Sequence, residues 1–450
     1  MKRQSWVLGA LAVILSSGLV YLIRTPWDKG EIQPQRHMIQ TTQLVEKPAF
    51  ILPGPTKKSV GLTVFIHGTV GSSFNLFNPF VGYHDRADED TFSVRALRRY
   101  RSHPAMGFDQ LLGEEGFYIL NTCKGDPLLA STYLIPAYDE MSRLFEKTCD
   151  VQEYALFGWT GLLSNRARRD AGVQLYEALV DYRDRIKKMY KVIPVIRIVA
   201  HSHGGNVALY VAQGELEQQK RLEIDSLFMY GTPMQVETAP YISSPLFRHI
   251  ALGYSWGDSV QRRDFFSTAA HQSYIRMSDV TNLKKIMEKH PGCTRCDVRL
   301  SVEGDECCVC HTNMWLCGRA NPLFCWMDPL PLVTLTPQIL ASLEQHPICT
   351  HALINLKSND KQCWVAFSQC LDYPMAKKPK TNFIKKARVF EAETEIDYCE
   401  HAEEVYELLS RWAEKMLSEW RRFDSSRDVL FNRRNRDAIR ASLFGLRQNP

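Results

Sequence analysis

Short apolar runs alternate along the chain with longer stretches in which apolar residues recur at helical spacing. The longest such stretch, 166–190, predicts a helix with Val173, Tyr176, Val180 and Ile186 on one face. Strands that alternate with helices predict a mostly parallel sheet flanked by helices, which binds ligands at the carboxyl ends of its strands. The apolar runs that predict strands are Leu62–Ile66, Phe117–Leu120, Tyr154–Trp159, Val195–Val199, Ile224–Tyr230, His249–Tyr254 and Val298–Val302.

The segment that follows Val195–Val199 carries the clearest chemical signal. Ala200, Ser202 and Gly204 form a small-x-Ser-x-Gly pattern between this strand and a helix-compatible stretch. Such a turn strains the serine backbone and exposes its hydroxyl, so the residues two before and two after it must be small. A phosphate-binding turn is the alternative, but it expects several glycines before the helix or a lysine after them. We therefore predict that Ser202 is a nucleophile.

A serine hydroxyl needs a base to take its proton and an acid to orient that base. Asp258 is the candidate acid because it follows the strand His249–Tyr254 directly. Asp225 opens its strand instead, which places it at the wrong edge of the sheet. The alternative role for Asp258 is that of a turn residue capping a backbone amide.

The candidate base is His311, which lies nine residues beyond Val298–Val302, the run we predict to be the last core strand. The chain order serine, acid, histidine favours it. Two alternatives stay open. His401 follows the strand-like run Val389–Ala392, and His351 begins a predicted hairpin.

The negative charge that forms on the substrate oxygen needs hydrogen-bond donors, the oxyanion hole. The residue after the nucleophile supplies one, the backbone N–H of His203. The loop after the first strand supplies the other, and Gly68 lets that loop approach closely, so we predict the N–H of Thr69. We expect the side chains of His201 and His203 to project away from the serine.

Three pieces of the chain resemble the α/β-hydrolase superfamily, particularly its lipase and esterase branch. They are Phe65–Thr69, Ala200–Asn206 and Gly231–Met234, and the resemblance covers roughly residues 60–315. It implies an α/β-hydrolase fold that cleaves a carboxylic ester or lipid through an acyl-enzyme, with no cofactor and no metal. Ala200 departs from the commoner glycine. The same residues also fit an acyltransferase, or a catalytically silent fold used as a binding or scaffold module.

The N-terminus predicts a membrane segment. Trp6–Ile23 is an uncharged run of about 18 residues, long enough to span a bilayer, between Lys2-Arg3 and Arg24. No Ala-x-Ala cleavage site follows, so we favour an uncleaved single-pass anchor over a cleaved signal. Positive residues on both flanks leave its orientation open. The predicted organisation is an anchor (1–24), a linker (25–58), a hydrolase domain with cap insertions (59–330) and a C-terminal extension of hairpin and helices (331–450).

Charge and cysteine content narrow the partners only slightly. A net charge of +5 on 450 residues gives no argument for nucleic acid. Of 13 cysteines, seven fall between 293 and 325, and Cys293, Cys296, Cys307 and Cys310 have the spacing of a structural zinc site. The same residues fit disulfides in an oxidising compartment or free thiols in a reducing one.

Overall fold

A computed structural model of the chain describes nine stretches, all within the unit Thr56–Pro450. The predicted anchor and linker lie outside the described residues, as does Cys307. So do residues 70–103 and 121–128, which hold much of the predicted cap insertions, and the run Val389–Ala392. Among the residues that are described, none forms a helix both long and apolar enough to cross a bilayer. The described residues are 59–69, 104–120, 129–145, 149–264, 273–303, 309–317, 330–359, 361–369 and 395–424.

In this part of the chain, ten strands form one sheet and two short strands pair beside it. The order is β12-β11-β10-β9-β7-β5-β4-β1-β3-β2, and β6 pairs antiparallel with β8. The seven strands from β10 to β3 run parallel, whereas β2, β11 and β12 are antiparallel to their neighbours. The strands are β1 Val60–Ile66, β2 Gly116–Ile119, β3 Val151–Gly158, β4 Val195–His201, β5 Ile224–Tyr230, β6 Met234–Gln235, β7 Phe247–Tyr254, β8 Ser273–Tyr274, β9 Thr294–Val302, β10 His351–Ser358, β11 Cys363–Gln369 and β12 Ile396–Tyr398.

Helices cover both faces of the large sheet. On one face α1 packs against α7 and α8, and on the other α2 packs against α3 and α4. The helices are α1 Ser131–Phe145, α2 Asn165–Tyr190, α3 His203–Leu209, α4 Val211–Gln218, α5 Ser259–Arg263, α6 Leu283–Lys289, α7 Thr336–Glu344 and α8 Ala402–Asp424. The molecule is therefore an α/β protein with a mostly parallel ten-stranded sheet between two helical layers.

Strand β1 shows why the apolar runs predict this fold. Successive side chains of a strand point to opposite faces, so Phe65 enters one core while Val64 and Ile66 enter the other. All seven residues of β1 are buried. A strand covered on both faces has no polar face, and its sequence reads as a continuous apolar run.

The C-terminal part of the sheet differs from the sequence prediction. Val298–Val302 lies in β9, which is not the last strand, because β10 pairs parallel with it and β11 and β12 continue the sheet. The hairpin expected within 331–450 thus extends the sheet built by the strands before it. Residues of β10 alternate between buried and half-buried, which identifies a strand but not its partner.

A buried arginine fastens the amino end of β9. The guanidinium of Arg295 donates at 2.6–3.1 Å to five backbone carbonyl oxygens, mostly of the segment that leads into β7. Because Arg295 is fully buried, its guanidinium depends on these carbonyl groups for hydrogen bonds. The acceptors belong to Ile242, Ser244, Phe247, Arg248 and Thr294.

Replacing Arg295 with Met keeps most of the buried stem but removes every donor. We expect the free energy of unfolding to fall by about 3–5 kcal/mol, because several buried carbonyl groups lose their partners. Chemical denaturation followed by tryptophan fluorescence measures this. The control is Arg248→Met, which removes an exposed ion pair with Asp225 and should cost at most about 1 kcal/mol. Equal losses of stability in the two variants would contradict this role of the Arg295 hydrogen bonds.

Candidate active site

Ser202 connects β4 to α3 through a backbone conformation that residues other than glycine rarely adopt. Its φ is 51° and its ψ is −131°. Holding a residue other than glycine there costs about 1–3 kcal/mol, so the surroundings must fix it. The N–H of Ser202 donates to the carbonyl oxygen of Tyr230 at 2.8 Å, and its own carbonyl accepts from Thr232 Oγ1 at 2.8 Å. The strand-to-helix turn predicted from the sequence is present.

Glycines surround this turn because the backbone packs too tightly for side chains. A Cβ on Gly204 would lie 2.4 Å from the carbonyl oxygen of His67, and one on Gly68 would lie 2.7 Å from Ser202 Cβ. Both distances are too short for any side chain. The loop that carries Thr69 therefore passes directly against the serine.

A histidine and a tryptophan hold that loop in place. The backbone N–H of Trp159 donates to His67 Nε2 at 3.2 Å, and its indole N–H donates to the His67 carbonyl at 2.8 Å. Since Nε2 accepts, the ring proton lies on Nδ1 and is donated to the Gly68 carbonyl at 2.7 Å. The hydroxyl oxygen of Thr69 is buried and has no hydrogen-bond partner among the described residues.

Asp258 and His311 form a close pair at the same edge of the sheet. His311 Nδ1 lies 2.7 Å from Asp258 Oδ2, and Asp258 is fully buried. The other carboxylate oxygen accepts from the backbone N–H of Gln261 at 2.8 Å and so caps α5. Asp258 therefore contacts His311 with one oxygen and caps a backbone amide with the other. With Nδ1 turned to the carboxylate, Nε2 is the ring nitrogen left to face a reacting group.

Gly231 brings the serine and this pair to one place. It follows Tyr230, whose carbonyl holds the Ser202 N–H, and its φ is 56°. A Cβ on Gly231 would lie 2.7 Å from Asp258 Oδ2 and 2.9 Å from His311 Nδ1. The dipeptide Tyr230-Gly231 thus contacts the Ser202 backbone on one side and the pair on the other.

The alternative residues lie elsewhere. His351 is the first residue of β10, four strands from β4 in the sheet, and its Nε2 is 2.5 Å from the Tyr254 hydroxyl. His401 contacts Glu404 at 3.6 Å and the ring of Phe145. Asp225 pairs with two arginines, Arg197 and Arg248.

The side chain of His201 reaches the site, which the sequence analysis missed. We expected it to project away from the serine and gave it no part in the site. Its Nε2 lies 3.0 Å from the backbone carbonyl oxygen of His311, and the two rings are 4.5 Å apart. Burial, followed by the nearby His311, lowers the pKa of His201 well below its usual value. No local pattern signals this contact, because it depends on the path of a loop 110 residues away.

His203 joins a second buried network. Its Nε2 lies 3.2 Å from Asp264 Oδ1, and burial lowers the pKa of His203, a shift that Asp264 partly opposes. Asn206 donates to the Pro233 carbonyl at 2.9 Å and accepts from the Thr238 hydroxyl at 2.6 Å. These bonds tie the start of α3 to the loop after β5.

Three of the four cysteines with zinc-site spacing are described, and they lie at both ends of β9. Cys293 and Cys296 lie at the amino end of β9, whereas Cys310 follows its carboxyl end and donates to Asn313 Oδ1. Six residues of rigid strand, about 20 Å, separate Cys296 from the end of β9. The hydrogen bond with Cys349, together with burial, raises the pKa of the Cys296 thiol well above its usual value. No group of three or more potential metal ligands occurs among the described residues.

A methyl group at Gly231 should separate Asp258 from His311. In Gly231→Ala we expect loss of the downfield proton NMR signal of an imidazole N–H bonded to a carboxylate. Gly292→Ala is the matched control, since Gly292 also has a positive φ, 88°, but nothing lies within 4 Å of its missing Cβ. Both variants carry backbone strain of about 1–2 kcal/mol, and only the first carries the clash. Persistence of the signal in Gly231→Ala would contradict the geometry.

No family of known proteins matches the chain, and no curated protein matches it. Among solved structures the chain is similar to a hyperthermophilic esterase from the archaeon Pyrobaculum calidifontis. The two share 9% sequence identity over 66% of this chain and 67% of that one, with a TM-score of 0.24. A superposition this loose adds no weight to the strand order and the site geometry.

Proposed function

We propose that the chain is a serine ester hydrolase with an α/β-hydrolase fold and an acyl-enzyme on Ser202. The observation that carries the proposal is the meeting of a strained serine and a buried aspartate–histidine pair around Tyr230-Gly231. The chain order supports it, because the serine follows β4, the acid follows β7 and the histidine follows β9. In a parallel sheet the carboxyl ends of these strands share one edge.

Each residue has a defined role in the proposed reaction. Ser202 Oγ attacks the ester carbonyl carbon while His311 Nε2 takes its proton. Asp258, 2.7 Å from Nδ1, keeps the ring in the correct tautomer and stabilises the imidazolium. His311 then returns the proton to the departing alcohol. Water, activated by His311 Nε2, then hydrolyses the acyl-enzyme and releases the carboxylic acid. The proposed reaction uses no cofactor.

The backbone N–H groups of Thr69 and His203 are the proposed oxyanion donors. The Thr69 loop passes against Ser202, and His203 is the first residue of α3. The first N–H groups of a helix have no acceptor within it and remain available to a substrate oxygen. The bonds from Trp159 to His67 fix the loop before substrate arrives. Such preorganisation avoids a reorganisation cost during the reaction.

Ser202→Ala should abolish labelling by a fluorophosphonate probe. Hydrolysis of an activated ester such as p-nitrophenyl butyrate should fall by about 10⁴–10⁶-fold, as for removal of a triad nucleophile. The control is Ser243→Ala, whose exposed hydroxyl donates to the Pro240 carbonyl and should leave both readouts unchanged. Undiminished labelling of Ser202→Ala would end the proposal.

The same assay separates the competing functions. A silent fold used as a binding or scaffold module would hydrolyse no ester above the rate in water and take up no probe. An acyltransferase would label at Ser202 but would deliver the acyl group to an added alcohol or amine in preference to water. We favour hydrolysis of an ester or lipid over acyl transfer. Water can accept the acyl group without a binding site of its own, whereas an alcohol or amine acceptor needs one.

We also propose that Trp6–Ile23 anchors the chain in a membrane. The full chain should stay in the membrane fraction after carbonate extraction. Val13→Arg together with Leu15→Arg should release it, because each central arginine costs roughly 2.5–3.5 kcal/mol in a bilayer. Recovery of a mature chain that begins after residue 24 would show a cleaved signal instead.

A further inference from the structure

We propose that His201, the residue directly before the nucleophile, is a positioning residue that holds the base His311 in place. The inference rests on the proposed function, since it assigns a task within the same reaction. His201 Nε2 lies 3.0 Å from the backbone carbonyl oxygen of His311. The residue next to Ser202 therefore contacts the backbone of the proposed base.

The protonation of His201 follows from its partner. A carbonyl oxygen only accepts, so the ring carries its proton on Nε2 and donates it. Burial holds the pKa of His201 well below its usual value, which keeps the ring neutral. That neutrality matters because the ring lies 4.5 Å from His311, and a second positive charge there would oppose protonation of the base.

Packing fixes the ring in the plane that the hydrogen bond requires. His201 stacks on Trp315 with an interplanar angle of 9° and a centroid distance of 5.5 Å. Trp315 belongs to the same loop as His311 and is fully buried. The loop thus contacts β4 twice, through the indole face of Trp315 and through the carbonyl of His311.

Two side chains contact His311 itself, in a loop that backbone hydrogen bonds also join to Asp109, Leu332 and Val333. Asp258 holds its Nδ1, and His201 holds its backbone. The bonds within the loop, from the N–H of Asn313 to Cys310 and from Leu316 to Thr312, shape the turn but do not attach it to the sheet. Losing the His201 bond should leave the contact with Asp258 but let the backbone of His311 move, which changes the position of its Nε2 relative to Ser202.

Two variants of His201 test the hydrogen bond. His201→Phe keeps an aromatic ring against Trp315 but has no donor, whereas His201→Gln keeps an N–H within reach of the carbonyl. We expect His201→Phe to lower kcat by about 10–100-fold with KM within about 2-fold, because misplaced reacting groups slow the chemical step. His201→Gln should recover at least about half of that loss on a logarithmic scale. Hydrogen exchange of the amides in 309–317 should be faster in His201→Phe than in His201→Gln.

A matched control separates positioning from stability. His351→Phe also removes a buried histidine and its hydrogen bond, with Tyr254, but on β10, four strands away from β4 in the sheet. It should lose thermal stability and keep kcat when assayed well below its unfolding temperature. An inactive wild-type chain would refute the proposed function. An active wild type with unchanged kcat and exchange in His201→Phe would overturn the positioning role alone, as would a His201→Gln variant as slow as His201→Phe.

Discussion

The left-handed backbone of Ser202 depends on its neighbours in the sheet and in turn constrains them. Its strain, about 1–3 kcal/mol, persists only where surrounding bonds hold it. Those bonds come from Tyr230 and Thr232 at the end of the adjacent strand β5, which accept and donate at 2.8 Å. Strand β5 is itself buried between β4 and β7. The rigidity of a sheet covered on both faces therefore fixes the conformation of the serine.

Such close packing leaves no room for a Cβ at several positions, which explains why glycines occupy them. Gly68 and Gly204 let the Thr69 loop lie against the serine, and Gly231 lets the aspartate–histidine pair lie against the end of β5. A Cβ at any of these positions would push apart the groups that it contacts. The arrangement of Ser202, Asp258 and His311 thus depends on the glycines around them.

The sequence predicts the parts of the structure that local physics decides. Strands covered on both faces show as apolar runs, and the tight turn at Ser202 shows in Ala200 and Gly204. The resemblance to α/β-hydrolases, with its chain order of serine, acid and histidine, predicts the pairing of Asp258 with His311. The sequence does not predict that β10–β12 join the sheet, because the partner of a strand depends on contacts between residues far apart in the chain. The contact of His201 with His311 is hidden for the same reason, since it spans 110 residues.

Four histidines lie at or near the turn that carries Ser202, and their surroundings differ. His67 accepts a backbone N–H on Nε2, which a doubly protonated ring could not do. His201 faces a carbonyl, and burial lowers the pKa values of both His201 and His203. Of the four, His311 has a fully buried carboxylate 2.7 Å from its Nδ1, and in the proposed reaction its Nε2 serves Ser202. In the proposed reaction, the proton of Ser202 would therefore go to His311. Burial lowers the pKa values of His201 and His203, and His67 Nε2 already accepts a backbone N–H.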